Sequence, residues 1–213
     1  MTVNTTDIHC NHERILFMKN SIIFLDIDGV LNSKPYCDRM TALYKNEKKP
    51  HPLTDQMDVN IIRRIARLAK ESDSDIVLSS TWKCLWTDPE LIEHKKQMKS
   101  ILEPNGIFII DTTPDCIGGR TFEIRNWLDK HTNVKHFVSL DDDYPEAYYI
   151  KAGIPNHTIH TNFWCTTENE GGFQEYHFDK ALEILKQDYQ NPSSVPIDNS
   201  SIEDSELLLR KDF

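Results

Sequence analysis

Apolar and polar positions along this chain form short runs that alternate between two periods. Ile22-Ile23-Phe24-Leu25 is four apolar residues in a row, too short for a helix and rich in β-branched and aromatic side chains. It predicts a strand buried on both faces. Ile76-Val77-Leu78, Gly106-Ile107-Phe108-Ile109-Ile110 and Phe137-Val138-Ser139-Leu140 predict further strands or extended segments, and a short strand is expected near Thr158 to Thr161. Between these runs the spacing turns helical. Thr54 can cap a helix with Asp55 and Asp58 in its first turn; Ile61, Ile65 and Leu68 share one face, with Ile62 and Ala69 beside them. Asp88-Pro89-Glu90 opens a second helix to about Leu102, with proline in the first turn. A third, Arg120 to Lys130, carries Ile124, Trp127, Leu128 and His131 on one side, and a fourth runs from Glu175 to Gln187 with Phe178, Leu182 and Leu185 in register. The polar, Lys-rich stretch from Ser33 to Pro52 reads as a loop or small insertion.

Strand–helix alternation of this kind predicts an α/β fold, a largely parallel sheet with helices on both faces. Residues 21–190 form the expected domain, after an N-terminal extension over 1–20 and before a polar, acidic tail over 191–213. Three of the strands end in polar clusters: Asp26-Ile27-Asp28, Ser79-Ser80-Thr81 and Asp141-Asp142-Asp143. Strands running the same way bring all three to one edge, where open α/β sheets bind their ligands.

Composition narrows the partners. The 213 residues carry a net charge of −10, which disfavours non-specific binding to nucleic acid or anionic membranes. No window has the apolar length of a membrane span, and the first twenty residues lack the apolar core of a secretory signal, so a cytoplasmic protein is expected. Five scattered cysteines without a Cys-x-x-Cys pair point to reduced thiols rather than a disulfide framework or zinc site. His157 and His160 have no Cys or carboxylate at ligand spacing. Trp82, Trp86, Trp127 and Trp164 read as core or loop-packing residues, although Trp82 and Trp86 follow a chemistry-bearing strand and are candidates to line a pocket.

The paired acids carry the chemistry. Asp26 and Asp28 repel each other at the lip of an apolar strand unless a cation or shared proton relieves them. Asp-x-Asp-Gly also opens a calcium loop, but Cys37 stands where the bidentate Glu is required. An aspartate can attack phosphorus and form an aspartyl-phosphate that water hydrolyses. Such a site needs cations and donors for the phosphoryl oxygens. Asp26 with one or both of Asp141 and Asp142 would hold Mg²⁺; Ser79 or Ser80 and the Arg120 guanidinium would bind phosphate; Asp28 would serve as acid and base.

These motifs resemble those of the haloacid dehalogenase (HAD) superfamily of aspartate-nucleophile phosphatases, and most closely the small HAD domains of RNA-repair (Swiss army knife) proteins. The resemblance spans roughly residues 20–190 and rests first on Phe24-Leu25-Asp26-Ile27-Asp28-Gly29-Val30-Leu31. It implies a Rossmann-like core with a minimal cap, Asp26 as nucleophile, Asp28 as acid/base with its backbone carbonyl on the metal, and Mg²⁺ as cofactor. Ser79 matches the second motif, with Ser80 as the alternative; Arg120 matches the third, with Lys83 as competitor; Asp141 and Asp142 match the fourth, with Asp143 blurring the register by one residue. A minimal cap implies an open cleft suited to a phosphorylated macromolecule. The acidic charge favours a phosphoprotein, with phosphotyrosine a fitting ester, over nucleic acid; a nucleotide, nucleic-acid end or small phosphometabolite is the alternative substrate, and a non-catalytic phosphate-binding module the alternative role. Glu203-Asp204-Ser205-Glu206 followed by Leu207-Leu208-Leu209 resembles the tails of some secreted bacterial effectors.

Overall fold

The computed structural model describes residues 18–45 and 52–189. The acidic tail over 191–213 and most of the extension over 1–20 lie outside the described residues. Five strands form one sheet: β1 (Ser21–Leu25), β2 (Asp75–Leu78), β3 (Ile109–Thr112), β4 (His136–Asp141) and β5 (Thr158–His160). Their order is β3-β2-β1-β4-β5 and every pairing is parallel. This is a doubly wound, Rossmann-like α/β sheet whose strand order reverses beside β1. In register, Leu25 lies opposite both Leu78 and Leu140, so β1, β2 and β4 end level with one another.

Alternation along β1 divides the core. Ile23 and Leu25 face one layer, with Ile61, Ile62, Ile65 and Leu68 of α2 (Val59–Glu71), Met98 of α4 (Ile92–Leu102) and Phe178 of α7 (Glu175–Ile184). Ile22 and Phe24 face the other, against Ile124, Trp127 and Leu128 of α5 (Arg120–Lys130) and Tyr149 of α6 (Glu146–Lys151). Phe24 meets Trp127 edge to face at 5.3 Å between centroids. Both faces of β1 are thus dry, which is why its sequence is unbroken apolar rather than alternating.

Several elements differ from the sequence expectation. Within the expected loop from Ser33 to Pro52, Lys34–Leu43 is a helix, α1. Proline stands in its first turn, where its missing N–H costs nothing, and Tyr36 is its one buried side chain, the hydroxyl donating to the Met57 carbonyl at 2.9 Å. Weak apolar patterning concealed it. Thr54 and Asp55 belong to a separate 3₁₀ turn, Leu53–Gln56, while Asp58 is the cap of α2, accepting from Asn60 N–H at 2.8 Å. The apolar run starting at Gly106 pairs only from Ile109: Gly106, at φ +92°, ends a 3₁₀ turn after α4, and Ile107 is buried outside any strand. Short helices α3 (Lys83–Thr87) and α6 were not anticipated. Helix α5 has the predicted bounds. No helix of the described residues is long and apolar enough to cross a membrane.

Candidate active site

The level ends of β1, β2 and β4 bring the three polar clusters together. Asp26, the first residue beyond β1, is buried; its N–H donates to the Leu140 carbonyl at 3.1 Å and its Oδ1 accepts from Ile27 N–H at 2.8 Å. Asp141, the last residue of β4, is fully buried, and its Oδ1 accepts from the N–H groups of Asp143 and Tyr144 at 2.9 and 3.0 Å. Asp142 is half-buried, and ligand oxygens of Asp26, Asp141 and Asp142 lie within 4.8 Å of one another. Asp143 is exposed and supplies its backbone to this turn, so the register of the acidic triplet falls on Asp141 and Asp142.

Glycine makes room for the cluster. Gly29 has φ +66°, and a Cβ there would run into the Asp142 carboxylate. The loop is pinned by the Thr161 hydroxyl, which donates to the Gly29 carbonyl at 2.7 Å, and by Gly29 N–H, which donates to Asn32 Oδ1 at 2.8 Å.

The cation comes from the first residue of α5. Gly118 and Gly119, with φ +108° and +79°, turn the chain into the helix, and the buried Arg120 side chain reaches back across the site. Its Nη1 bonds Asp26 Oδ2 and, at 2.7 Å, Asp141 Oδ2. Tyr144 lies against the guanidinium, 5.3 Å from Cζ to the ring centroid. Lys83, the competing cation, instead pairs with Asp115 at 2.8 Å and Glu123 at 2.6 Å.

Between the two serines the turn decides. The Ser80 hydroxyl faces the Asp26 carboxylate and favours its charged form, whereas Ser79 Oγ is buried without a hydrogen-bond partner. Ser79 N–H donates to the Leu25 carbonyl at 2.8 Å, so its backbone continues the β1–β2 pairing by one residue. Ser80, Arg120 and Tyr144 line an open cleft of about 640 Å³ together with Thr113, Lys83 and Glu123. Asp28 stands apart from the acidic cluster. It is exposed, its Oδ2 accepting from Trp82 Nε1 at 2.8 Å and its Oδ1 from Asn32 Nδ2 at 3.1 Å. Trp86 and Trp127 are core residues; Trp164 is 74% exposed. His157 stacks on Phe137 at 4.2 Å and bonds its carbonyl.

Electrostatics at the site are under-neutralised. Burial pushes the Asp26 carboxyl up to about 7 against the pull of Arg120, with Asp141 adding to the rise. Asp142 is pushed up to about 8 by burial and by its neighbours Asp143, Asp26 and Asp141. Asp141 is also raised by burial, and Arg120 is held in its charged form by Asp26 and Asp141 despite its own burial. One guanidinium faces three carboxylates, leaving room for a divalent charge. Carboxylate donors at this separation, in a pocket that a Cβ on Gly29 would fill, fit a hard cation such as Mg²⁺.

Sequence reasoning missed two contributors, Tyr144 and Asn32, which had no distinguishing signal beyond nearness to the acidic motifs; Trp82, a candidate to line a pocket, meets Asp28.

Comparison with known proteins agrees with the geometry. No curated protein and no solved structure matches the chain. A family model does: the HAD domain in Swiss Army Knife RNA repair proteins, over residues 22–176. That span runs from β1 into the start of α7 and takes in Asp26, Asp28, Ser80, Arg120, Asp141 and Asp142. With more than half of its length matched, the chain belongs to this family of HAD domains.

Proposed function

We propose that the chain is a Mg²⁺-dependent phosphatase that works through an aspartyl-phosphate. The observation that carries this reading is the meeting of Asp26, Asp141 and Asp142 around Arg120 and Ser80 at the switch point of the sheet. HAD domains are generally hydrolases or phosphatases that use Mg²⁺, and the family match supports that class. Asp26, Asp141 and Asp142 would hold the ion, with the backbone carbonyl of Asp28 as a further ligand. When bound, it would neutralise the carboxylates and let an anionic phosphate approach them.

The remaining chemistry falls to this chain's own groups. Arg120 and the Ser80 hydroxyl bind phosphoryl oxygens and stabilise the charge spread over them. Asp26 attacks phosphorus; as the new O–P bond forms, the bond to the leaving oxygen breaks, and Asp28 gives that oxygen its proton. Asp28, now a carboxylate, takes a proton from water as the water attacks the same phosphorus. The bond to Asp26 breaks and inorganic phosphate leaves.

The open cleft beside Arg120 and Ser80 favours a phosphate displayed on a macromolecule, and the net charge of −10 favours a phosphoprotein, phosphotyrosine included. The family's description, which names RNA repair proteins, favours a second reading in which the substrate is a nucleic-acid end or nucleotide. One assay series separates them. Release of p-nitrophenol from p-nitrophenyl phosphate should require Mg²⁺ and vanish in Asp26→Asn. Phosphotyrosine peptides should then turn over faster than terminally phosphorylated oligonucleotides, nucleotides or sugar phosphates. No hydrolysis by the wild type would leave a phosphate-binding module and end the enzymatic reading; faster turnover of the oligonucleotides would replace the phosphoprotein with a nucleic-acid end.

A further inference from the structure

The turn between β2 and α3 touches both acids of the first motif. Ser80 faces Asp26 and favours its charged form, and two residues on, Trp82 Nε1 donates to Asp28 Oδ2 at 2.8 Å. The two contacts are tied together, because Trp82 N–H donates to the Ser80 hydroxyl at 3.3 Å. On the other side of Asp28, Asn32 Nδ2 donates to Oδ1 at 3.1 Å. Asn32 is itself buried and immobilised, donating to the Gln56 carbonyl at 2.9 Å and accepting from Gly29 N–H. An exposed aspartate at the end of a strand ordinarily samples several rotamers. Here two N–H donors on separate elements grip one oxygen each.

We infer that Trp82 is a positioning residue for Asp28, its indole N–H holding the carboxyl group in the orientation from which it serves the two proton transfers. This inference rests on the phosphatase reading above. Proton transfer to a leaving oxygen and removal of a proton from water both need the same carboxyl at a defined distance from phosphorus. Trp82 touches neither substrate nor phosphorus in this scheme; it acts through Asp28. The ring of Trp82 also packs against the core layer that holds Trp86, which anchors the indole and gives the hydrogen bond a fixed origin.

Trp82→Phe keeps an aromatic ring, though a smaller one, and removes the donor. The full-length variant should lose about 10–100-fold in kcat/KM on an alkyl phosphate such as glycerol 2-phosphate, as expected for a misplaced catalytic group. On p-nitrophenyl phosphate, whose leaving group departs without a proton, kcat/KM should change by less than about 3-fold. Phosphoenzyme should accumulate as a burst in the variant, because water activation also suffers. In an Asp28→Ala background, Trp82→Phe should change neither rate further. Independently of activity, the Trp82 indole N–H resonance, assigned by its loss in Trp82→Phe, should shift in Asp28→Ala. Equal losses on both esters, a further loss in the Asp28→Ala background, or an unmoved indole resonance would overturn the role of Trp82. A wild type that hydrolyses neither ester would overturn the phosphatase reading and this inference with it, so the two failures are distinct.

Discussion

Without the proposed divalent cation, raising the pH should destabilise the fold, because three carboxylates then share one guanidinium. A carboxyl whose value in the fold lies above its ordinary 3.8 favours the protonated form there. Its contribution is therefore fully present below about pH 4 and is lost as the pH climbs through the raised value. Asp26 sits at about 7 and Asp142 at about 8, so the loss falls between about pH 4 and 8. Moving Asp26 from 3.8 to about 7 corresponds to about 4 kcal/mol. Asp142 is partly open to solvent and its rise depends on the same neighbours, so its share overlaps with that of Asp26 rather than adding in full. For a chain of this size 1 kcal/mol moves the melting temperature by roughly 2–4 °C, so the site term is about 8–16 °C. His177, pushed down to about 4 by burial and by Lys180, works in the opposite direction as the pH rises toward its ordinary 6.5. The quantity to measure is therefore the difference between melting temperatures in excess Mg²⁺ and in EDTA, followed by circular dichroism from about pH 5 to pH 8. The histidine contribution cancels from that difference. It should grow steadily with pH, since the ion binds the deprotonated carboxylates. Asp142→Asn should raise the melting temperature in EDTA at about pH 8 and abolish most of the Mg²⁺ increment. A Mg²⁺ increment that stays flat with pH, or an Asp142→Asn variant less stable than wild type in EDTA at pH 8, would refute the reasoning.

Three further substitutions probe the same groups. Arg120→Ala removes the cation shared by Asp26 and Asp141 and should cost about 3–5 kcal/mol at about pH 8, as for a broken buried pair, but distinctly less near pH 5 where the acids take up protons; urea unfolding at both values reads this, and an equal cost at both would contradict it. Gly29→Ala puts a methyl group into the Asp142 carboxylate at a positive φ, so the variant should lose its Mg²⁺ thermal shift even where it still folds; a retained shift would show that Asp142 does not need that space. Lys83→Met should leave hydrolysis of p-nitrophenyl phosphate within about 3-fold of wild type, because its charge is taken up by Asp115 and Glu123 rather than by the phosphate site; a drop as large as that of Arg120→Ala would reverse the assignment of the cation.

What could be read in advance was set by how much each element depends on its own residues. Strand β1 and helix α5 were legible because burial is written in their periodicity: four consecutive apolar residues in one, Ile124, Trp127 and Leu128 on one face of the other. Helix α1 buries Tyr36 and little else, so its pattern resembles that of a loop, and α3 and α6 are too short to show a period. At the sheet edge β3, Ile107 is buried ahead of the strand while Phe108 is 62% exposed, so an apolar run there does not mark where pairing begins.

The site divides along the same line. That Asp26, Ser79 or Ser80, and the Asp141 triplet would meet follows from strands that run parallel and end level, a property of the whole sheet that each strand announces by its own polar ending. Which serine and which acids face inward is a one-residue question, and in an extended chain one residue reverses the face. The turn after β2 settles it by leaving Ser79 on the backbone ladder and carrying Ser80 to Asp26; the turn after β4 does so by folding the Asp143 and Tyr144 amides back onto Asp141. Trp82 had no periodicity to betray it, since its partner Asp28 is brought to it by a different loop. Polar groups at strand ends are therefore the readable part of such a site, while the side chains that contact them come from turns whose geometry only the assembled sheet determines.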